Sequence, residues 1–183
     1  TGAHVSRLTQ YNTRMHVSVV DSLEKIPASG WNALVDESNP FLRHEFLSAL
    51  ESTGCVSAKT GWLPQHLIVH RDESPTGDLV GALPLYLKNH SYGEYVFDWA
   101  WANAYEQAGL RYYPKLVAGI PFTPVTGPRL LSIAGAESAT IKKQLVDSAL
   151  ELMREHQASS LHWLFLTPED AQRARDFGAE GIG

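Results

Sequence analysis

The sequence predicts a mixed α/β domain with a mostly antiparallel sheet flanked by helices. Three observations lead there. Short β-branched or apolar runs alternate with segments of helical periodicity, two such runs face each other across a Pro-, Gly- and Asp-rich connection, and residues 137–156 carry a regular amphipathic stripe. The chain has 183 residues, 44% hydrophobic and 19% charged, enough for one domain with a real core.

In order along the chain, HVSVV at 16–20 reads as a first strand because it is short and β-branched. Trp31, Leu34 and Val35 then share a helical face. In NPFLRHEFLSALESTG, Asn39 can cap, Pro40 suits the first helical position, and Leu42, Phe46, Leu47 and Leu50 form an apolar stripe that Gly54 ends. Residues 65–70 and 79–88 read as an antiparallel pair joined by RDESPTGD.

Residues 93–98 read as a third strand; Tyr95, Phe97 and Trp99 alternate along it and so share one face, with Trp101 joining only if the strand runs on. Trp101, Ala104, Tyr105 and Ala108 then repeat at helical spacing up to Gly109. YYPKLVAGI is extended, and the four prolines between Pro114 and Pro128 forbid a helix across that segment, so its second half is a rigid loop. Residues 137–156 form a long helix with Ile141, Leu145, Ala149 and Leu152 facing inward. SLHWLFL at 160–166 reads as a central strand covered on both faces, and Thr167, Pro168 and Asp170 start a last helix.

Residues 1–14 are polar and unpatterned and are expected to be a leader upstream of a single domain over 15–183. A net charge of -5 excludes DNA binding by bulk electrostatics. The single Cys55 allows no internal disulfide and fits a reducing, cytoplasmic setting, and no apolar run approaches the roughly 18 residues of a spanning helix. Phosphate-loop, GxSxG, HExxH and GxGxxG signatures are absent. His66 and His70, four apart on one strand, are the nearest approach to a metal site, with no Cys or carboxylate evident to join them.

Of the 18 aromatic residues, nine lie between Tyr92 and Phe122. Such a concentration is either a stiff core or the wall of a cleft. Within it, Glu94 stands among rings where partial burial would raise its pKa toward that of a useful general base. Asp98 precedes the helical repeat and reads first as an N-cap, second as a proton acceptor. Tyr105, Tyr112 and Tyr113 join ring surface to a hydroxyl. Lys88, Arg111, Lys115 and Arg129 flank the cluster as solvated surface or as anion ligands. In TPVTGPR, Thr126 and its neighbours form either a preorganised ligand loop or a stiff connection.

The segments SYGEYVFDWAWANAYEQAGLRYYPKL and PFTPVTGPRLL, with FLRHEFLSALESTGCV and TGWLPQHL upstream, resemble the FemAB-like N-acyltransferases. These are relatives of the peptidoglycan-bridge aminoacyltransferases within the GNAT superfamily. The resemblance implies a GNAT-like fold, with this chain as the first half of a two-domain protein. It also implies transfer of an acyl or aminoacyl group to an amine, such as one on a cell-wall precursor, from a charged tRNA or an acyl-CoA.

Acyl transfer needs a proton acceptor, oxyanion donors and a cleft. On that expectation the catalytic candidates are Glu94, Tyr105 and Asp98. The substrate-binding candidates are Lys88, Tyr95, Trp99, Trp101, Tyr112, Tyr113, Lys115, Thr126 and Arg129. The junction FDWAWANA lacks the Gly-rich turn, roughly [QR]xxGx[GA], with which GNAT enzymes hold the CoA pyrophosphate, so no cofactor is expected in this half. Two further expectations stand beside it: a non-catalytic module that binds a peptide, sugar or partner through the 92–129 surface, and a chain that pairs with a second half or with itself.

Overall fold

The computed structural model describes residues 15–72, 78–95 and 98–177; the 1–14 leader lies outside them. The fold is mixed α/β, and its strands form two four-stranded sheets rather than one. The first contains β1 (His16–Val20), β3 (His66–His70), β4 (Leu79–Leu83) and β7 (Leu131–Ser132), in the order β1-β3-β4-β7, all antiparallel. The second contains β2 (Trp62–Pro64), β5 (Leu85–Lys88), β6 (Lys115–Ala118) and β8 (Leu161–Trp163), in the order β2-β5-β6-β8, with only β6 and β8 parallel.

The predicted hairpin explains the division. Each of its arms is interrupted, one at Gln65 between β2 and β3, the other at Pro84 between β4 and β5. Proline has no N–H for the ladder, so regular pairing stops there. The break is bridged by the Gln65 N–H donating to Leu85 O at 2.8 Å. One hairpin thus runs through both sheets and joins them.

Helices cover the first sheet on both sides. Along β3, Leu67 and Val69 point toward α4 (Ser138–Glu155), whose stripe of Ile141, Leu145, Ala149 and Leu152 is buried as predicted. The alternate residue Ile68 joins Trp31, Leu42 and Leu47 on the side of α1 (Ala28–Asn32) and α2 (His44–Ser52). The period-2 alternation of a strand therefore serves two core layers at once.

Three expectations change. The helix predicted from Asn39 breaks at Arg43, which is extended (ψ 146°), so Pro40–Leu42 is a separate 3-10 turn and Asn39 makes no side-chain cap bond. SLHWLFL provides β8, which lies at the edge of its sheet and is mostly half-buried, not central. No strand forms over the described part of 93–98: Gly93 and Tyr95 have φ of 81° and 59°, outside the β region, while Val96 and Phe97 lie outside the described residues. Tyr95 and Trp99 therefore share no strand face; Trp99 opens α3 (Trp99–Gln107).

Candidate functional site

Lys88 at the end of β5 and Lys115 at the start of β6 are register partners in antiparallel strands. Both side chains are fully buried. Like charges placed directly opposite destabilise a ladder, and a buried cation without a counter-ion costs several kcal/mol, roughly. The compensation comes from the segment that follows β5. Lys115 Nζ donates to Glu94 Oε2 at 2.8 Å and to Asp98 Oδ2 at 2.5 Å. Lys88 Nζ lies 3.8 Å from Glu94 Oε1, donates to Tyr92 O at 2.9 Å, and stands 3.6 Å above the Trp62 ring centroid. Two cations and two carboxylates thus share one buried cluster.

A second ring of groups closes around Asp98. Tyr112 donates its hydroxyl to Oδ2 at 2.6 Å, and Ser91 donates to Oδ1. Tyr113 OH lies 2.5 Å from Ser91 Oγ. His162 on β8 meets the Tyr112 ring edge-on. Burial depresses the His162 pKa to about 4, with the Lys115 charge acting in the same direction, so the ring is neutral at pH 7. Asp98 occupies the N-cap position of α3, but its side chain caps nothing. The cap assignment fails because Lys115, Ser91 and Tyr112 compete for the carboxylate and win.

These environments push the two carboxylates apart. Burial raises the Glu94 pKa above its ordinary value, and the Lys115 and Lys88 charges only partly offset it. Burial also pushes Asp98 up, but hydrogen bonds from Lys115, Ser91 and Tyr112 outweigh it and hold the carboxyl at about 2. Burial lowers Lys88 to about 8, against the attraction of Glu94. Because the Asp98 pKa is depressed on folding, its stabilisation is present above the unfolded value of 3.8 and is lost as pH falls toward 2. Carboxyl-carbon NMR is expected to show Asp98 titrating near pH 2, with about 2 kcal/mol of stability lost across that window.

The segment over the cluster is locked from outside as well. Gly93 O accepts from Phe122 N at 3.1 Å. A Cβ on Gly93 would come within 2.5 Å of the Phe122 ring, at a φ of 81° that disfavours any side chain. Gly93→Ala is expected to destabilise the fold by about 2 kcal/mol or more, measured by urea denaturation.

The other predicted residues are placed as follows. Tyr105 on α3 packs its ring on Tyr112 at 5.2 Å between centroids and has no hydroxyl contact with the cluster. Tyr95, Trp99 and Trp101 are exposed at 57%, 56% and 65%, along with Tyr92, Leu110 and Phe122, so among the described residues the aromatic run from Tyr92 to Trp101 is surface. The helical repeat of Trp101, Ala104 and Ala108 is real, yet α3 buries none of its residues. Arg129 is buried but lies apart, beside the Asp170 of α5 (Pro168–Asp176), and Thr126 lines a different cavity. Glu94, Asp98, Lys88, Lys115, Tyr112 and Tyr113 therefore come together, while Arg129 and Thr126 do not join them. Arg111 is exposed, unlike the three other flanking cations, which are buried.

Sequence reasoning passed over Trp62, Ser91 and His162. Only His162 left a signal, a titratable residue inside an otherwise apolar strand. His66 is no metal ligand: Leu85 N–H donates to its Nδ1 at 3.2 Å, so Nε2 carries the proton given to Glu51 Oε1 at 2.8 Å. No group of three metal-ligating side chains occurs among the described residues.

Fold and site together define a mixed α/β protein with a buried lysine-carboxylate cluster bordered by the rings of Trp62, Tyr112 and Tyr113. Residues 22–180 match the FemAB-like family, described as peptidoglycan biosynthesis/recognition, and the chain belongs to that family. No curated protein and no solved structure gave a match. Among the described residues no helix is long and apolar enough to cross a membrane.

Proposed function

We propose that this chain is one GNAT-like half of an N-acyltransferase that moves an acyl or aminoacyl group onto an amine, with Glu94 as the proton acceptor. The observation that supports it is the state of one atom. Glu94 Oε1 is buried and has no hydrogen-bond partner, while Oε2 is held by Lys115. A carboxylate fixed through one oxygen, with the other lone pairs free and its pKa raised, has the disposition of a general base. Attack of a neutral amine on the acyl carbonyl forms the new C–N bond. Glu94 takes the proton that the nitrogen loses, and the donor's leaving oxygen or sulfur departs with the bonding electrons. Lys88, close to Oε1, is a cation suited to the developing oxyanion.

The Glu94 side chain is fully covered, so the proposed chemistry requires the Tyr92–Gly93 turn, held by Lys88 at Tyr92 O and by the Phe122 N–H at Gly93 O, to give access to an amine. The exposed Tyr92 and Tyr95 rings flank that entry and suit a peptide-like or sugar-bearing acceptor. Where a CoA-binding turn would offer glycines, the N-cap and first turn of α3 read Asp98, Trp99 and Ala100, which favours a charged tRNA as donor or a CoA site in a second half.

A non-catalytic recognition module is the second reading, favoured by the burial of all four charges. Glu94→Gln separates them. An enzyme loses turnover and keeps acceptor binding, whereas a module keeps its binding and has no turnover to lose.

A further inference from the structure

The Tyr92–Gly93 turn beside the buried cluster is tied down by bonds of two kinds. Lys88 Nζ donates to Tyr92 O at 2.9 Å, the Phe122 N–H donates to Gly93 O at 3.1 Å, and the Glu94 N–H donates to Ser91 O at 3.3 Å. All three acceptors are carbonyls, which accept at any ordinary pH. The remaining tie has a different acceptor: the Tyr92 N–H donates to His90 Nδ1 at 3.3 Å. An imidazole nitrogen accepts only while it carries no proton. Of these four bonds it is therefore the one whose acceptor a change of pH near neutrality can remove.

The His90 ring is built into its place. Gly61 follows the 3-10 turn Ala58–Thr60 with a φ of 74°, and a Cβ on it would run into His90 Nε2 and Cε1. The missing side chain lets the imidazole lie against the main chain leading into β2, with Nδ1 toward the Tyr92 N–H. The Tyr92 ring meets it edge-on at 5.0 Å between centroids. Burial lowers the His90 pKa below its ordinary 6.5, the Lys88 charge acts in the same direction, and a main-chain bond of His90 itself acts the other way. Lys88 on β5 is the charged group acting on the ring, the Tyr92 phenol is the other titratable group packed on it, and Asn89 and Gly61 are uncharged. The ring is therefore neutral at pH 7, and Nδ1 is free to accept. Because the pKa is lowered in the folded turn, the bond's contribution is complete above 6.5 and is lost as pH falls through the lowered value.

We propose that His90 is a positioning residue for the Glu94 cluster: its neutral Nδ1 holds the Tyr92–Gly93 turn in place beside Glu94 and Lys88, and its protonation loosens that turn. The inference concerns access to the cluster and does not depend on Glu94 being a base.

The test is amide hydrogen exchange of the full chain, His90→Asn and His90→Ala on both sides of the His90 pKa, which imidazole NMR locates, with rates corrected for the intrinsic effect of pH. Asparagine offers a side-chain carbonyl that accepts from the N–H two residues on and does not titrate, whereas alanine offers no acceptor. In the native chain, protection of the Tyr92 and Glu94 N–H groups is expected to fall at least threefold on acidification, while that of Ile141 in α4 stays level. His90→Asn is expected to keep the higher protection at both pH values, and His90→Ala to show the lower protection at both. A purely structural imidazole would give neither the pH dependence nor the rescue by asparagine. A ring that stays neutral until the protein unfolds, native protection equal on both sides of the His90 pKa, or His90→Asn no better protected than His90→Ala would each overturn the proposal.

Discussion

Lys115→Met is expected to lower the free energy of unfolding by about 3–5 kcal/mol, the usual consequence of removing one partner from a buried ion pair. Methionine fills much the same volume, so cavity formation adds little. What remains is electrostatic: Glu94 and Asp98 both lose the ammonium that bonds them, and both are almost wholly shielded from water. Lys88 cannot take over, since it lies 3.8 Å from Glu94 and is committed to Tyr92 O and the Trp62 ring.

A control shows why burial decides the magnitude. Lys143 on α4 makes an ion pair of similar length with Asp147, but the two side chains are 56% and 51% exposed. Water screens that pair, and Lys143→Met is expected to cost less than about 1 kcal/mol. Urea denaturation of both variants at pH 7 measures the contrast. A Lys115→Met loss no greater than that of Lys143→Met would show that the cluster does not hold its charges as described.

Glu94→Gln is expected to reduce turnover of the full-length protein by a factor of about 10² to 10⁴, the range associated with a positioned general base. Glutamine keeps the shape, and its carbonyl oxygen can still accept from Lys115, so acceptor binding is expected to persist. The pH dependence supplies an independent check. A base whose pKa is raised by burial makes the rate rise with pH through a midpoint above the ordinary glutamate value of 4.5, and that limb disappears in Glu94→Gln.

Much of the fold was legible because its signals are local. The stripe of Ile141, Leu145, Ala149 and Leu152 can face only one way on a helix, and all four residues are buried on α4. Thr167 caps α5 through the Asp170 N–H, as a hydroxyl beside an early proline suggests. The misreadings arose where long-range chemistry overrides local pattern. Tyr95, Phe97 and Trp99 alternate like a strand, yet Gly93 turns the chain so that Glu94 reaches Lys115, a residue 21 positions away. Asp98 looks like a cap from its neighbours, and only the register of β5 against β6 reveals that two lysines need its charge.

The candidate site was legible in the same uneven way. Glu94, Asp98, Lys88 and Lys115 stood out as charges within an aromatic segment, but nothing in their spacing showed that they neutralise one another. The aromatic run divides: Tyr112 turns inward to Asp98, whereas Tyr92, Tyr95, Trp99 and Trp101 face outward. Arg129 shows the limit most clearly. It reads as a surface cation beside the cluster, and its real partners are Val125 O and Pro128 O in its own loop.

The most direct test of the central claim is single-turnover transfer of a labelled acyl group from a charged tRNA or an acyl-CoA to a peptide amine, comparing the full-length protein with Glu94→Gln. Transfer by the native protein, falling at least 100-fold in the variant while acceptor binding stays within a few-fold, is the predicted result. Equal transfer by both proteins, or acceptor binding without transfer by the native protein from either donor, would contradict it.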